Sequence, residues 1–206
     1  MKSRIANILI MLLLPMLVAA QSAAPTADEI LTQFFQKIDA QTLSAAFTIT
    51  VSETANTPIS YTGNIQMRGE KFRLSFIGNE GAYDGKTYSL YAEDTNELTL
   101  STPTRDELLE ANPLLFAQAL QKRATVRFSA ANKDAKRYVI ELLPENQSAG
   151  IQKFVIKICK ADLTPEEVTV KEQKQTTVLR FTHANYSTAV PPFTISAPGA
   201  FVNDLR

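Results

Sequence analysis

Two hydrophobic periods succeed one another along the chain. Ile30, Leu31, Phe34, Phe35 and Ile38 recur at spacings of one, three and four. That spacing places them on one stripe of a helix of about 14 residues. Thr26 followed by Glu29 opens this helix with a capping box, in which each residue satisfies a free backbone N–H of the first turn. After Leu43 the period falls to two. Phe47, Ile49 and Val51 alternate with Thr48, Thr50 and Ser52, and Ile59, Tyr61, Gly63, Ile65 and Met67 alternate with polar neighbours. Phe72, Leu74 and Phe76 continue the pattern, then Tyr88 and Leu90, then Leu98 and Leu100. Such alternation predicts antiparallel strands with one dry and one wet face. Asn56-Thr57-Pro58, Arg68-Gly69-Glu70, Asn79-Glu80-Gly81, Asp84-Gly85 and Asp94-Thr95-Asn96 read as the turns between them. Connections this short favour pairing of sequential neighbours.

The centre of the chain interrupts the alternation. Thr104 and Glu107 repeat the capping-box spacing, and Asn112-Pro113 opens a further helix with Pro at its first position. Strands resume at 124–130, 137–143, 151–160, 167–172 and 176–186, and Phe193 with Ile195 is expected as a final edge segment after Pro191-Pro192. The pattern predicts a mainly β chain with helices (α+β): one curved antiparallel sheet of about ten or eleven strands, with about three helices on its concave side.

Composition narrows the chemistry. Lys plus Arg number 21 and Asp plus Glu number 21, so the chain lacks the basic excess that phosphate binding needs, and no nucleic acid is expected as a partner. The charge is unevenly spread. Residues 21–120 hold 6 basic and 13 acidic side chains, and residues 121–206 hold 13 and 8. With 1 Cys there is no intrachain disulfide, and with 1 His besides there is no usual zinc site of His and Cys. His183 shares the parity of Leu179 and Phe181 and is expected as a structural or partly buried residue within a strand. Catalysis through it would require a nucleophile, and no Gly-x-Ser-x-Gly elbow exists. Cys159 is expected as a small packed side chain, with a free thiol or an intermolecular link as the alternatives. The acidic groups at Asp162, Glu166 and Glu167 lack calcium-loop spacing, and 7 Gly in the whole chain form no phosphate cradle, so no cofactor or metal is expected.

Met1–Ala20 has a cationic start at Lys2 and Arg4, an apolar run from Ile8 to Val18, and small residues at Val18-Ala19-Ala20. This is the pattern of a secretory signal peptide, leaving a single domain over 21–206 that is expected in a bacterial periplasm or secreted. The apolar face of the sheet is then the candidate chemistry. Phe47, Ile49, Val51, Ile65 and Met67 would line one part of a greasy concavity. Phe72, Leu74, Phe76, Tyr88 and Leu90 would line a second, and Phe116, Phe154, Ile156 and Phe181 a third. Three short helices either fill that hollow or leave room for a ligand. Six carbons of an acyl chain would gain roughly 5 kcal/mol on entering it, at ~0.8 kcal/mol per CH₂.

The run Gly81-Ala82-Tyr83-Asp84-Gly85-Lys86-Thr87-Tyr88-Ser89-Leu90-Tyr91 resembles the Ser-Asp-Gly-Lys-Thr-Leu-Trp-x-Tyr stretch of the LolA family of periplasmic lipoprotein carriers. Ser44-Ala45-Ala46-Phe47-Thr48, Gly63-Asn64-Ile65, Lys71-Phe72-Arg73-Leu74 and Asn112-Pro113-Leu114-Leu115 are similar to further pieces in the family's order. So is the tail Phe193-Thr194-Ile195-Ser196-Ala197-Pro198-Gly199-Ala200-Phe201-Val202. The resemblance spans Thr26 to Arg206. It implies an unclosed half-barrel whose cavity holds the acyl chains of lipoproteins. It also implies a monomer that receives cargo from an inner-membrane ABC-type releasing complex and delivers it to an outer-membrane acceptor that the sequence does not identify. By the same resemblance, Arg68 is the candidate latch to the helical lid and Phe72 the candidate contact with the releasing complex. Gly69 stands where the family has Pro. No bond is broken in such carriage, so no enzyme activity is expected. The alternatives are an envelope module on the same half-barrel that senses lipids or lipoproteins, and a hydrolase acting through His183.

Overall fold

The structure is a computed structural model, and it describes residues 24–53, 56–130, 132–145 and 150–206. The expected signal peptide at 1–20 lies outside the described residues.

A helix α1 (Ala27–Ala40) precedes six strands: β1 (Thr42–Glu53), β2 (Ile59–Arg68), β3 (Lys71–Phe76), β4 (Asn79–Tyr83), β5 (Tyr88–Ala92) and β6 (Glu97–Ser101). Helices α2 (Arg105–Ala111) and α3 (Pro113–Gln121) follow. Then come β7 (Ala124–Phe128), β8 (Arg137–Pro144), β9 (Ile151–Cys159), β10 (Pro165–Glu172), β11 (Gln175–Ser187) and β12 (Phe201–Asp204). The strands form one 12-stranded sheet in the order β12-β6-β5-β4-β3-β2-β1-β11-β10-β9-β8-β7. Its end strands do not pair with each other, so the sheet is an unclosed half-barrel of the α+β kind. The two meanders join at its centre, where β1 pairs with β11.

Both capping boxes form, with the Thr26 and Thr104 side chains each accepting from the N–H of a Glu three residues on. Asn112 ends α2 and starts α3, its carboxamide oxygen accepting from the N–H groups of Leu114 and Leu115. The helices cover the inner face. Leu31, Phe34 and Ile38 of α1 and Leu114 and Leu115 of α3 are fully buried against Met67, Ile140, Leu142, Phe154 and Ile156.

Three expectations are corrected. Asn79-Glu80-Gly81 is strand, not turn. The reversal occurs two residues earlier, at Ile77-Gly78, where both residues take positive φ (49° and 67°), the signature of a tight two-residue hairpin. Ile is a poor residue for that region, so of the pair only Gly78 carries a turn signal. Phe193 and Ile195 are not an edge strand. Residues 188–200 run outside any strand, and the edge is β12, which pairs parallel with β6. Among the described residues that makes 12 strands, with one parallel pairing. The third correction concerns His183. The register of β1 with β11 shifts between Ser44 and Ala46, which face Asn185 and Thr182, so β11 carries an extra residue there. His183 sits in this β-bulge at φ 54° and is exposed. The bulge reverses the parity: Leu179 and Phe181 point to the core before it, and Ala184 and Tyr186 pack against the core after it.

Candidate functional site

The inner face is not filled evenly. Under α1 and α3 the β8–β10 half is solid core, with Phe154, Ile156 and Ile158 fully buried and the Phe116 ring packed 6.2 Å from that of Phe154. Toward β1, β2, β3 and β11 the helical cover thins. There a cleft of about 220 Å³ remains. Its floor comes from Phe47 and Ile49 of β1, Ile65 of β2, Phe72, Leu74 and Phe76 of β3, and Leu179 and Phe181 of β11. Its roof comes from Glu110, Ala111, Asn112 and Pro113, where α2 passes into α3.

Strand alternation gathers these side chains. Phe47, Ile65 and Leu179 belong to three neighbouring strands with no helix between them, and the antiparallel register sets Ile65 beside Ala45 and Leu74, and Phe47 beside Gly63 and Phe181. Gly63 makes the room. A Cβ there would overlap the Phe47 ring and the Ser75 carbonyl oxygen. The Phe47 ring therefore lies over Gly63 and meets Phe76 at 6.4 Å. Tyr61 packs edge-on against Phe76 at 5.7 Å and is exposed at the outer lip.

The sequence-derived cavity residues thus divide into groups. Phe47, Ile49, Ile65, Phe72, Leu74, Phe76 and Phe181 line the cleft. Met67, Phe154 and Ile156 are instead fully buried core, and Phe116 belongs with Phe154. Tyr88 packs behind Phe72 at 6.2 Å, and burial raises the pKa of its phenol. Val51 and Leu90 lie outside the cleft, Leu90 exposed beyond the reach of the helices. The polar residues of the roof, Glu110 and Asn112, escaped sequence reasoning. Helical periodicity marks where a lid is apolar, not which of its ends overhangs a gap.

Arg68 does not reach a helix. Its Nη1 donates to the carbonyl of Thr188 at 3.2 Å, and the alternation that buries Met67 on the inner face puts Arg68 on the outer one. The segment 188–200 starts there, with Thr42 Oγ1 donating to the Ala189 carbonyl at 2.7 Å. It ends where Asn96 Nδ2 donates to the Gly199 carbonyl at 3.1 Å. Phe193 is buried along the way, outside the main core. Arg68 is therefore a fastening of an outer strap. The inner-face contact at this turn is made by Gly69, whose N–H donates to the Ile38 carbonyl at the end of α1, at 3.0 Å. Gly69 takes φ 56°, which Pro cannot. Phe72 is fully buried between Tyr83 and Tyr88, so in this conformation it offers a partner no surface.

The outer face of the second half carries cross-strand ion pairs. Glu141 accepts from Ser129, Lys153 and Arg127, and Glu167 pairs with Lys157 and Arg180. Burial alone would raise the Glu141 carboxyl pKa, but these donors outweigh it and hold the pKa below the ordinary range. Cys159 is half-buried, and among the described residues no three His, Cys, Asp or Glu side chains gather where they could hold a metal. Nor is any described helix long and apolar enough to cross a membrane.

The fold has known counterparts. A conserved protein from Thermus thermophilus superposes with a TM-score of 0.57 at 14% identity, over 84% of this chain and 96% of its own. A LolA superfamily protein from Nitrosomonas europaea gives a TM-score of 0.44 at 12% identity, over 84% and 99%. The MucA/MucB complex of Pseudomonas aeruginosa gives 0.45 at 13%, over 83% and 61%. A sequence search of the curated proteins gives no match. The family model described as outer membrane lipoprotein carrier protein LolA matches residues 21–174. The half-barrel, its helical cover and that match together identify the chain as a member of the LolA family.

Proposed function

We propose that this protein is a periplasmic carrier that shields the acyl chains of lipoproteins between the inner and the outer membrane. The observation that carries this reading is the apolar cleft between the sheet and the α2–α3 junction. In this reading the chain acts as a monomer. It takes cargo from an ABC-type releasing complex and gives it up to an acceptor that holds the chains more favourably. The cargo is carried unaltered.

At about 220 Å³ the cleft is smaller than typical ligand pockets, which run to roughly 300–1,000 Å³. Acyl chains would enter by moving the roof. α2 is the element suited to move, since Leu108 is its one buried side chain, whereas α3 buries Leu114, Leu115 and Ala117. Asn112 joins the two in extended backbone, at φ −140° and ψ 106°, so a rotation there would swing α2 relative to α3. α2 is tied to the sheet side by the Arg105–Glu70 ion pair, which is solvent-exposed and worth about 0–1 kcal/mol. Each CH₂ that enters the cleft gains about 0.8 kcal/mol. A few carbons therefore outweigh the tie, and loading and release both stay reversible.

The test is to displace a fluorescent acyl probe from the purified protein and to extract it for copurifying lipid. Depleting the protein and locating lipidated proteins in the two membrane fractions tests the route. A protein that binds no acyl probe and carries no lipid overturns the reading.

A further inference from the structure

Of the residues that line the cleft, Glu110 alone is ionisable. It stands in the last turn of α2, exposed, beside a floor of Phe, Ile and Leu side chains. The rest of that helix reinforces its sign. Asp106 and Glu107 are acidic, and the helix's one cation, Arg105, is engaged by Glu70. Glu107 is turned back onto the Thr104 cap. The carboxylate that faces whatever protrudes from the cleft is therefore that of Glu110.

An acyl chain cannot enter this cleft without bringing its attachment point to the mouth. Whatever charge sits at that point meets the Glu110 carboxylate. In water two unit charges about 4 Å apart interact by ~1 kcal/mol, and by more beside an apolar wall that excludes solvent. Resting on the carrier reading above, we infer that Glu110 selects the class of acyl ligand. Chains that carry an ammonium group close to their attachment point are favoured, neutral ones are accepted, and chains headed by a carboxylate or phosphate are rejected. Such a preference would keep a lipid-binding cleft in an envelope from filling with anionic lipids. It would favour an acylated peptide whose terminal amine is free.

The experiment uses the mature chain and three dodecyl probes below their micelle-forming concentrations: dodecylammonium, a neutral dodecyl glycoside and dodecanoate. Each competes with a neutral fluorescent probe. The ammonium probe is expected to bind about fivefold tighter than the neutral one and the carboxylate about fivefold weaker, with the spread shrinking as salt rises. Glu110→Gln should collapse the spread, bringing the ammonium and carboxylate affinities to that of the neutral probe, and Glu110→Lys should reverse the order. Asp106→Asn removes the same charge from the same helix away from the cleft and should leave the spread largely intact. Equal affinities for the three probes, or a spread that survives Glu110→Gln, overturn the role of Glu110 while leaving the cleft as an acyl site. Failure of all three probes to compete overturns the cleft reading and this inference with it.

Discussion

Gly63 of β2 faces Phe47 of β1 across the antiparallel pair, and the Phe47 ring occupies the space that a side chain on Gly63 would need. This contact shapes the floor of the cleft. It lets an aromatic ring lie flat along the sheet, where it forms a wall with Phe76 instead of standing up into the hollow. Gly63→Ala forces the new methyl against the Ser75 carbonyl oxygen as well as the ring. Overpacking of this kind costs about 1–3 kcal/mol, which for a chain of this size lowers Tm by roughly 2–4 °C per kcal/mol. Thermal unfolding should show that loss, and acyl-probe affinity should fall with it, because the ring must tilt into the cleft. An unchanged Tm would contradict the packing described here.

Asn112 ties the start of α3 to the sheet. Its carboxamide oxygen accepts from the Leu114 and Leu115 N–H groups, and its Nδ2 approaches the Met67 sulfur at 3.6 Å. It is also buried. Asn112→Ala removes the cap, at a cost of about 1 kcal/mol, and unfastens the hinge of the roof. Denaturant unfolding should register the loss. Stopped-flow mixing with an acyl probe should show faster binding than in the wild type. A slower association would mean that α2 is not the moving part.

Arg68→Ala separates two roles for that residue. As a fastening of the strap, its loss leaves the Thr188 carbonyl without its donor and speeds amide exchange and proteolysis at 188–200. Acyl-probe affinity should stay within twofold. A latch to the lid would do the reverse, changing affinity and leaving the tail protected.

The Glu141 cluster predicts an acid limb. The folded-state pKa of its carboxyl lies below the ordinary value of about 4.3. Its contribution is therefore complete above that value and is lost as pH falls through the folded pKa. Glu141→Gln should cost about 1–2 kcal/mol at pH 7, since Arg127 and Lys153 lose a charged partner but retain access to water. The gap from wild type should narrow as pH falls through the folded-state pKa and close once the carboxyl is protonated. Chemical denaturation across that range measures it, and a gap independent of pH would rule out an ionic origin.

Much of this architecture was legible in the chain. Both capping boxes, the Asn112-Pro113 start and the parity of β1, β2 and β3 are local properties, dictated by the hydrogen-bonding needs of helix ends and by the period of a strand. Where the reading failed, the cause was long-range or conformational. Ile77 adopts a left-handed turn that its side chain disfavours, because the pairing of β3 with β4 demands it. The register of β1 with β11 inserts a bulge at His183 that reverses the parity behind it, so a residue expected inside stands outside.

The amino-acid order alone determined that an apolar face exists, how many strands contribute to it within one or two, and most of the side chains that belong to it. Only the tertiary structure decided where that face is covered. Alternation records that Ile156 and Ile49 both avoid water, yet a helix satisfies the first and an open cleft adjoins the second. The difference lies in the packing of α1 and α3 over one half of the sheet and in the short reach of α2 over the other. Those distances depend on elements far apart in the chain, and no local periodicity encodes them.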